Sequence, residues 1–236
     1  MNIDAIPTAR APTSSLGHRG RGLITAPALA GIAYATAWVL GLAVWPSNLD
    51  VAASNVKVIT TYRAHQGAAM TQYVLVEGVA AIALAVVVIA LGRAARRRDA
   101  DRLRAVTVVA GLTAVALSLV ECALGLLLAG SAAPDRETER AGRLFDLINR
   151  SDGVKMLALT AMAVTGFALV RRAVLPRWLG YSAALLTVAL IVSGAGYLLL
   201  NTTLAQAAYV SGPLLLVWVT GAGIAVARTH RSRAAA

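Results

Sequence analysis

The chain has 236 residues, of which 58% are hydrophobic and only 14% are charged, whereas a soluble domain carries about 25% charged residues. The apolar residues fall in blocks of about twenty, enough to cross roughly 30 Å of hydrocarbon, so a soluble globular domain is excluded. The net charge of +11 comes mostly from arginines at the ends of these blocks. We therefore expect the lipid bilayer, and not nucleic acid, as the partner.

The chain opens with a mostly polar segment, residues 1–20, which contains Pro7, Pro12, Ser14, Ser15 and Gly17. We interpret it as a disordered tail. A membrane domain follows over residues 21–229, and residues 230–236 form a second tail. The predicted fold class is all-α, a polytopic membrane bundle of six transmembrane helices. The predicted spans are 23–45, 69–92, 105–129, 154–171, 179–200 and 204–227.

The arginine and lysine residues indicate how the chain is oriented. With six spans both termini share one side, and that side carries fifteen basic residues against seven on the other. The positive-inside rule then makes both termini cytoplasmic. Arginine outnumbers lysine, and alanine and valine are abundant, which is typical of GC-rich bacterial genomes. The expected location is the cytoplasmic (inner) membrane of a bacterium, crossed several times.

We expect one or two short interfacial helices on the outer side. In the loop before the fourth span, four apolar residues recur at helical spacing, which predicts an amphipathic helix lying on the surface. They are Ala141, Leu144, Phe145 and Ile148. Asp152 would then cap the fourth span. Val56, Ile59 and Tyr62 suggest a similar short helix before the second span. Such helices either shield the ends of the spans or cover an outward-facing pocket.

Two carboxyl groups lie within apolar spans. Glu77 and Glu121 are each about eight residues from the outer end of their span, a depth of roughly 12 Å. A short turn joins the two spans, so they are expected to be antiparallel neighbours with the acids facing each other. Burial and a like-charged neighbour both favour the neutral form, so we expect one or two of these acids to carry a proton.

Other polar residues are predicted at a similar level and together outline a candidate cavity in the outer half of the bundle. Ser193 and Tyr197 lie in the outer third of the fifth span, and His65 lies at the outer mouth. Lys155 lies near the surface at the start of the fourth span, from where its flexible side chain can reach inward. The acids could instead be structural hydrogen-bond partners of serine, tyrosine or Lys155.

The sequence offers no catalytic residues, and we expect no cofactor and no metal. Cys122 is the single cysteine, and no serine, histidine and aspartate have a spacing typical of a hydrolase. The glycine pairs at 194–196 and 221–223 lack the context of a phosphate loop and predict close helix packing. Small residues on the spans would also allow a homo-oligomer or a membrane partner.

Four short motifs carry a resemblance to a known group of proteins: "YRAH" at 62–65, "SDGVK" at 151–155, "LPRWLGY" at 175–181 and "SGAGYL" at 193–198. On these motifs, residues 23–227 resemble uncharacterised six-span bacterial membrane proteins, of the sort grouped as domains of unknown function. The resemblance implies a helical integral membrane fold. It implies no substrate, and it transfers no catalytic residue.

Three functions fit these observations. The first is a small-molecule or proton-linked binder or transporter with an outward-facing polar cavity. The second is a structural or accessory membrane subunit with no chemistry of its own, in which the acids hold the bundle together. The third is a membrane enzyme that acts on lipid, which would need a nucleophile with a base, or a bound metal, in the outer cavity.

Overall fold

The computed structural model describes residues 17–46, 49–97, 100–134 and 137–234. In these ranges the chain is helical and has no strand, as predicted. Helices satisfy every backbone hydrogen bond within one segment, which hydrocarbon requires. The helices are α1 (Gly17–Val44), α2 (Asn55–Ala64), α3 (Gln66–Tyr73), α4 (Ala80–Arg96), α5 (Asp101–Leu127), α6 (Thr138–Arg171), α7 (Arg177–Leu198), α8 (Thr202–Ala205) and α9 (Ala208–Ala234).

The described residues contain six helical stretches that are long and apolar enough to cross a membrane, which confirms the predicted number. They are Ala26–Val44, Gln66–Arg96, Asp101–Ala132, Thr138–Arg171, Arg177–Leu198 and Thr202–Thr229. Two of them contain a π-helical turn: Val74–Val79 joins α3 to α4, and Leu128–Ala132 extends α5.

The two predicted tails relate differently to the structure. Most of the first tail, residues 1–16, lies outside the described residues, and α1 already begins at Gly17. At the other end α9 continues to Ala234, so most of the segment predicted as a tail from residue 230 is helical.

The prediction of a separate surface helix before the fourth span is wrong. Helix α6 runs unbroken through 34 residues, about 50 Å, which exceeds the roughly 30 Å of hydrocarbon. The apolar face of Ala141, Phe145 and Ile148 packs against α2 and the end of α5, in a core cluster that includes Val58. Because protein covers this face, the segment has no need to lie on lipid, and it continues straight into the span.

The short helix predicted over residues 56–62 is present as α2. The Ser54 hydroxyl oxygen accepts a hydrogen bond from the Lys57 amide at 3.4 Å and caps the helix. Val58, Ile59 and Tyr62 are buried, whereas Val56 is 66% exposed. Two of the three apolar residues that suggested this helix, Ile59 and Tyr62, therefore lie on its buried face, whereas Val56 does not.

Long helices that follow one another along the chain pack antiparallel, as do α1 and α9, and this defines two ends of the bundle. Glycines allow the close approach: Gly31 lies against Thr220 of α9, and Gly111 lies against Val88 of α4. The predicted antiparallel pairing of the second and third spans is thus confirmed. We call the end that carries residues 17 and 234 the terminal end. The opposite end, with the connections at 45–54, 133–137 and 199–207, is the open end.

Candidate functional site

The structure brings together side chains from three helices in a single, largely buried group, the carboxylate–lysine cluster. It consists of Glu77 from the π-helical turn before α4, Glu121 from α5, and Asp152 and Lys155 from α6. The prediction that Glu77 and Glu121 face each other is met, because Lys155 contacts both carboxylates.

Lys155 is the centre of the cluster. Its ammonium donates to both carboxylate oxygens of Glu77, at 3.0 and 2.9 Å, and to Glu121 Oε2. It lies 2.8 Å from Asp152 Oδ1, one turn earlier on the same helix. Only 5% of Lys155 is exposed. The sequence suggested that Lys155 lies near the surface and reaches inward; in the structure it is a buried residue of α6.

The cluster has more acceptors than donors. An ammonium has three hydrogens, and three different carboxylates share them. Glu121 is 1% exposed, and its Oε1 has no hydrogen-bond partner among the described residues. If all four groups are ionised, the cluster carries two negative charges that no neighbouring ammonium balances. Such a charge inside a membrane protein is costly and calls for a proton or another cation.

Sequence reasoning missed Asp152, which we expected to cap a helix at the surface. The expected break in the chain is absent, so Asp152 lies inside α6 and contacts Lys155. The spacing of three residues between Asp152 and Lys155 could have predicted their contact, because side chains three apart on a helix are neighbours.

The helix that carries Glu77 has an irregular backbone at that point. Glu77 and Gly78 belong to the π-helical turn Val74–Val79, a distortion that appears frequently at functional sites. The extra residue in this turn changes which face of the helix the following residues present. Gly78, the residue after Glu77, faces Cys122 of α5.

A cavity of about 540 Å³ leads from the open end toward the cluster. Asp152 and Lys155 lie on its wall together with Ser118, whereas Glu77 and Glu121 do not line it. The two glutamates thus lie behind Lys155 as seen from the cavity. The rest of the wall is largely apolar and aromatic, with Tyr34, Trp38, Leu84, Leu159, Tyr197, Tyr209 and Leu216 among its residues.

The other predicted site residues have different positions. Tyr197 lines the cavity, as expected. Ser193 is fully buried and lies behind the wall, where its hydroxyl is 3.3 Å from that of Ser211, which does line the cavity. His65 is exposed at the junction of α2 and α3 and is not part of the cavity wall. The cavity therefore has no contribution from His65.

At the mouth of the cavity, Asp50 links two connections of the open end. Its Oδ1 accepts hydrogen bonds from the Ala52 amide at 2.9 Å and from the Thr202 hydroxyl at 2.6 Å. These two bonds stabilise the charged form, the first more strongly, and lower the pKa of Asp50 below its usual value. Asp50 thus adds negative charge to the mouth.

The acids also have the chemistry of a metal site. One oxygen from each of Glu77, Glu121 and Asp152 lies within 4.8 Å of the others, and hard cations favour carboxylate oxygens. However, the Lys155 ammonium already bonds all three carboxylates. A metal ion would have to displace that ammonium, so the arrangement fits an internal cation better than a resident metal.

Neither a protein-family model nor a curated protein nor a solved structure matches this chain. The chemistry of the cluster and the cavity therefore has to carry the functional argument.

Proposed function

We propose that the protein is a membrane carrier or receptor that binds a small molecule in the open-end cavity, and that binding is linked to protons held by the carboxylate–lysine cluster. The observation that carries this proposal is the imbalance of three carboxylates around one ammonium, with Glu121 Oε1 left without a partner among the described residues. A purely structural ion pair would balance its charges.

Proton linkage follows from this imbalance. Two bound protons would make the cluster neutral, and one would leave a single negative charge. A ligand that reaches Lys155 or Asp152 through the cavity changes the electrostatic environment of all three acids, because they share one ammonium. Ligand binding and proton binding are then coupled, and each alters the affinity for the other.

The proposed orientation comes from the arginines. The terminal end carries the larger share of basic residues, so the positive-inside rule places it in the cytoplasm. The cavity then opens to the outside of a bacterial cytoplasmic membrane, and Asp50 lies at its outer mouth.

A structural or accessory role is the second candidate. Lys155 connects three separate helical segments, and stabilising the bundle is by itself a sufficient role for such an arrangement. A lipid-directed enzyme has less support, because His65 does not line the cavity. The serine hydroxyls of the cavity wall therefore have no histidine base beside them in the described structure.

Infrared titration of the protein in lipid nanodiscs tests the proposal without knowledge of the ligand. Protonated carboxyl groups have a C=O band that is separate from that of carboxylates. When the pH is varied from about 5 to about 9, we expect this band to change because the cluster gains and loses protons, and we expect it to shrink in Glu121→Gln. Glu139→Gln, which alters an exposed acid of α6, is the matched control. A band that is constant over this range would favour the structural role.

A further inference from the structure

We infer that the cavity binds a monovalent organic cation with an apolar body, and that this cation replaces one proton of the carboxylate–lysine cluster. The inference rests on the proposed function and specifies the class of its ligand.

The sign of the ligand's charge follows from the acceptors left over in the cluster. All three hydrogens of the Lys155 ammonium are directed to carboxylates, and Glu121 Oε1 still has no partner among the described residues. Asp50 adds a carboxylate at the mouth. A ligand therefore meets a cluster whose acids need protons or another cation to balance them, and a further carboxylate at the mouth, and this arrangement favours cations over anions.

The rest of the ligand must suit the walls of the cavity. Tyr34, Trp38 and Tyr197 line it, and aromatic faces attract cations by a further electrostatic interaction. The leucines on the same walls favour an apolar body, because its transfer from water is favourable. The volume of about 540 Å³ is that of a site for a small organic molecule. A bare metal ion would leave most of this space and these walls unused.

Charge balance explains the exchange with a proton. When the cation enters, one proton leaves a carboxyl group of the cluster for water, and the net charge of the cavity and cluster stays the same. This exchange avoids an additional uncompensated charge at a buried site.

Other titratable groups surround the cluster. They are Tyr34 from α1, Tyr73 from α3, Cys122 from α5 and Tyr197 from α7, each of which interacts electrostatically with members of the cluster. In water, phenols, thiols and ammonium groups hold their protons to much higher pH than carboxyl groups do. The carboxyl groups of the cluster are therefore the source of the exchanged proton.

The test compares two probes of similar size and shape but opposite charge, tetraphenylphosphonium and tetraphenylborate. Each is measured by equilibrium binding to the full chain in nanodiscs, with empty nanodiscs as the background. We expect saturable binding of tetraphenylphosphonium, tightening up to about tenfold per pH unit as pH rises because a proton is released. Tetraphenylborate should show the background level only. A pH indicator in weak buffer should record about one proton released per cation bound.

Two substitutions separate the parts of the inference. Glu121→Gln should remove most of the proton release and flatten the pH dependence. Trp38→Leu, on the cavity wall, should weaken binding of the cation about tenfold while each bound cation still releases its proton. Trp178→Leu alters a tryptophan that is 51% exposed and outside the cavity wall, so it should bind as the unaltered chain does.

Saturable binding of the borate in place of the phosphonium would overturn the inference, and so would phosphonium binding without proton release. If neither probe binds but the infrared titration still shows carboxyl protons exchanging, the assigned ligand class is wrong and the proton-linked site stands. If the infrared band is also constant, the proposed function fails as well.

Discussion

Replacement of Lys155 by methionine removes the ammonium of the carboxylate–lysine cluster and keeps a side chain of similar length. Three carboxylates with oxygens within 4.8 Å of one another then lose their shared partner. At an effective dielectric constant of about 20, two unit charges at this distance repel by about 3.5 kcal/mol. Proton uptake relieves part of the repulsion, so we expect a loss of about 3–5 kcal/mol in the free energy of unfolding, as for other broken buried pairs.

Glu121→Gln should behave very differently. Lys155 keeps its bonds to Glu77 and Asp152, and the oxygen without a partner belongs to a group that is now neutral. We expect a change of about 1 kcal/mol or less in either direction. Titration with sodium dodecyl sulfate in mixed micelles measures both variants against the unaltered chain.

The double variant Lys155→Met with Glu121→Gln supplies a further check. With one carboxylate fewer to repel, it should be more stable than Lys155→Met alone, which is a non-additive result expected of groups in contact. A lower pH should also reduce the difference in free energy of unfolding between Lys155→Met and the unaltered chain, because protons neutralise the acids that lost their partner. The reasoning is refuted if Lys155→Met unfolds at the same fraction of sodium dodecyl sulfate as the unaltered chain, or if Glu121→Gln loses as much stability as Lys155→Met.

Three further outcomes are expected. Gly196→Ala should lower the free energy of unfolding by about 2 kcal/mol, because its new methyl group would collide with the backbone of α8. Gly67→Ala is the control in the same unfolding titration. This position has open space around it, so the change should be neutral or stabilising by up to about 1 kcal/mol. Tyr62→Phe and Tyr73→Phe each break the same 2.8 Å hydrogen bond between the two hydroxyl groups, so each should lower the free energy of unfolding by about 1 kcal/mol. The double variant should lose clearly less stability than the sum of the two single losses. A strictly additive result would show that the bond contributes nothing. The pKa of Asp50 is lowered in the folded protein. Its contribution to stability is therefore complete above the pKa that Asp50 has in the unfolded chain, and it disappears as the pH falls through the pKa of the folded state. The thermal unfolding temperatures of Asp50→Asn and of the unaltered chain should differ at neutral pH and converge in acid.

The number and pairing of the spans could be predicted because they depend on strong, local signals. Blocks of apolar residues of sufficient length define the spans, and short connections make neighbours antiparallel. The same simple geometry was enough to bring Glu77 and Glu121 to one level, since only a rise per residue and a shared starting surface are needed.

The remainder of the site depends on packing that a single sequence does not reveal. The apolar face at Ala141 and Phe145 has the same periodicity whether it meets lipid or protein, and its burial by α2 decides that α6 is continuous. That continuity in turn moves Asp152 from a surface cap into the cluster. The π-helical turn at Glu77 has no sequence signature comparable to a proline or a helix cap.

The contribution of His65 was overestimated for a similar reason. Its distance along the chain from the second span suggested the mouth of the cavity, but the direction of its side chain depends on the break between α2 and α3. In the structure His65 is exposed and does not line the cavity.

Charge-selective labelling of a cysteine in the cavity tests most directly whether an opening at one end leads to an excess of negative charge. The chain would carry Ser118→Cys on a Cys122→Ala background, and Thr60→Cys, at an exposed position of α2, would serve as the reference. Cationic and anionic methanethiosulfonate reagents of similar size are then added from outside the cell. We predict that the ratio of cationic to anionic rates at position 118 exceeds that at position 60 by about tenfold or more, and that Glu121→Gln reduces the excess. Equal ratios at the two positions, a faster anionic reaction, or no reaction at position 118 would contradict this account.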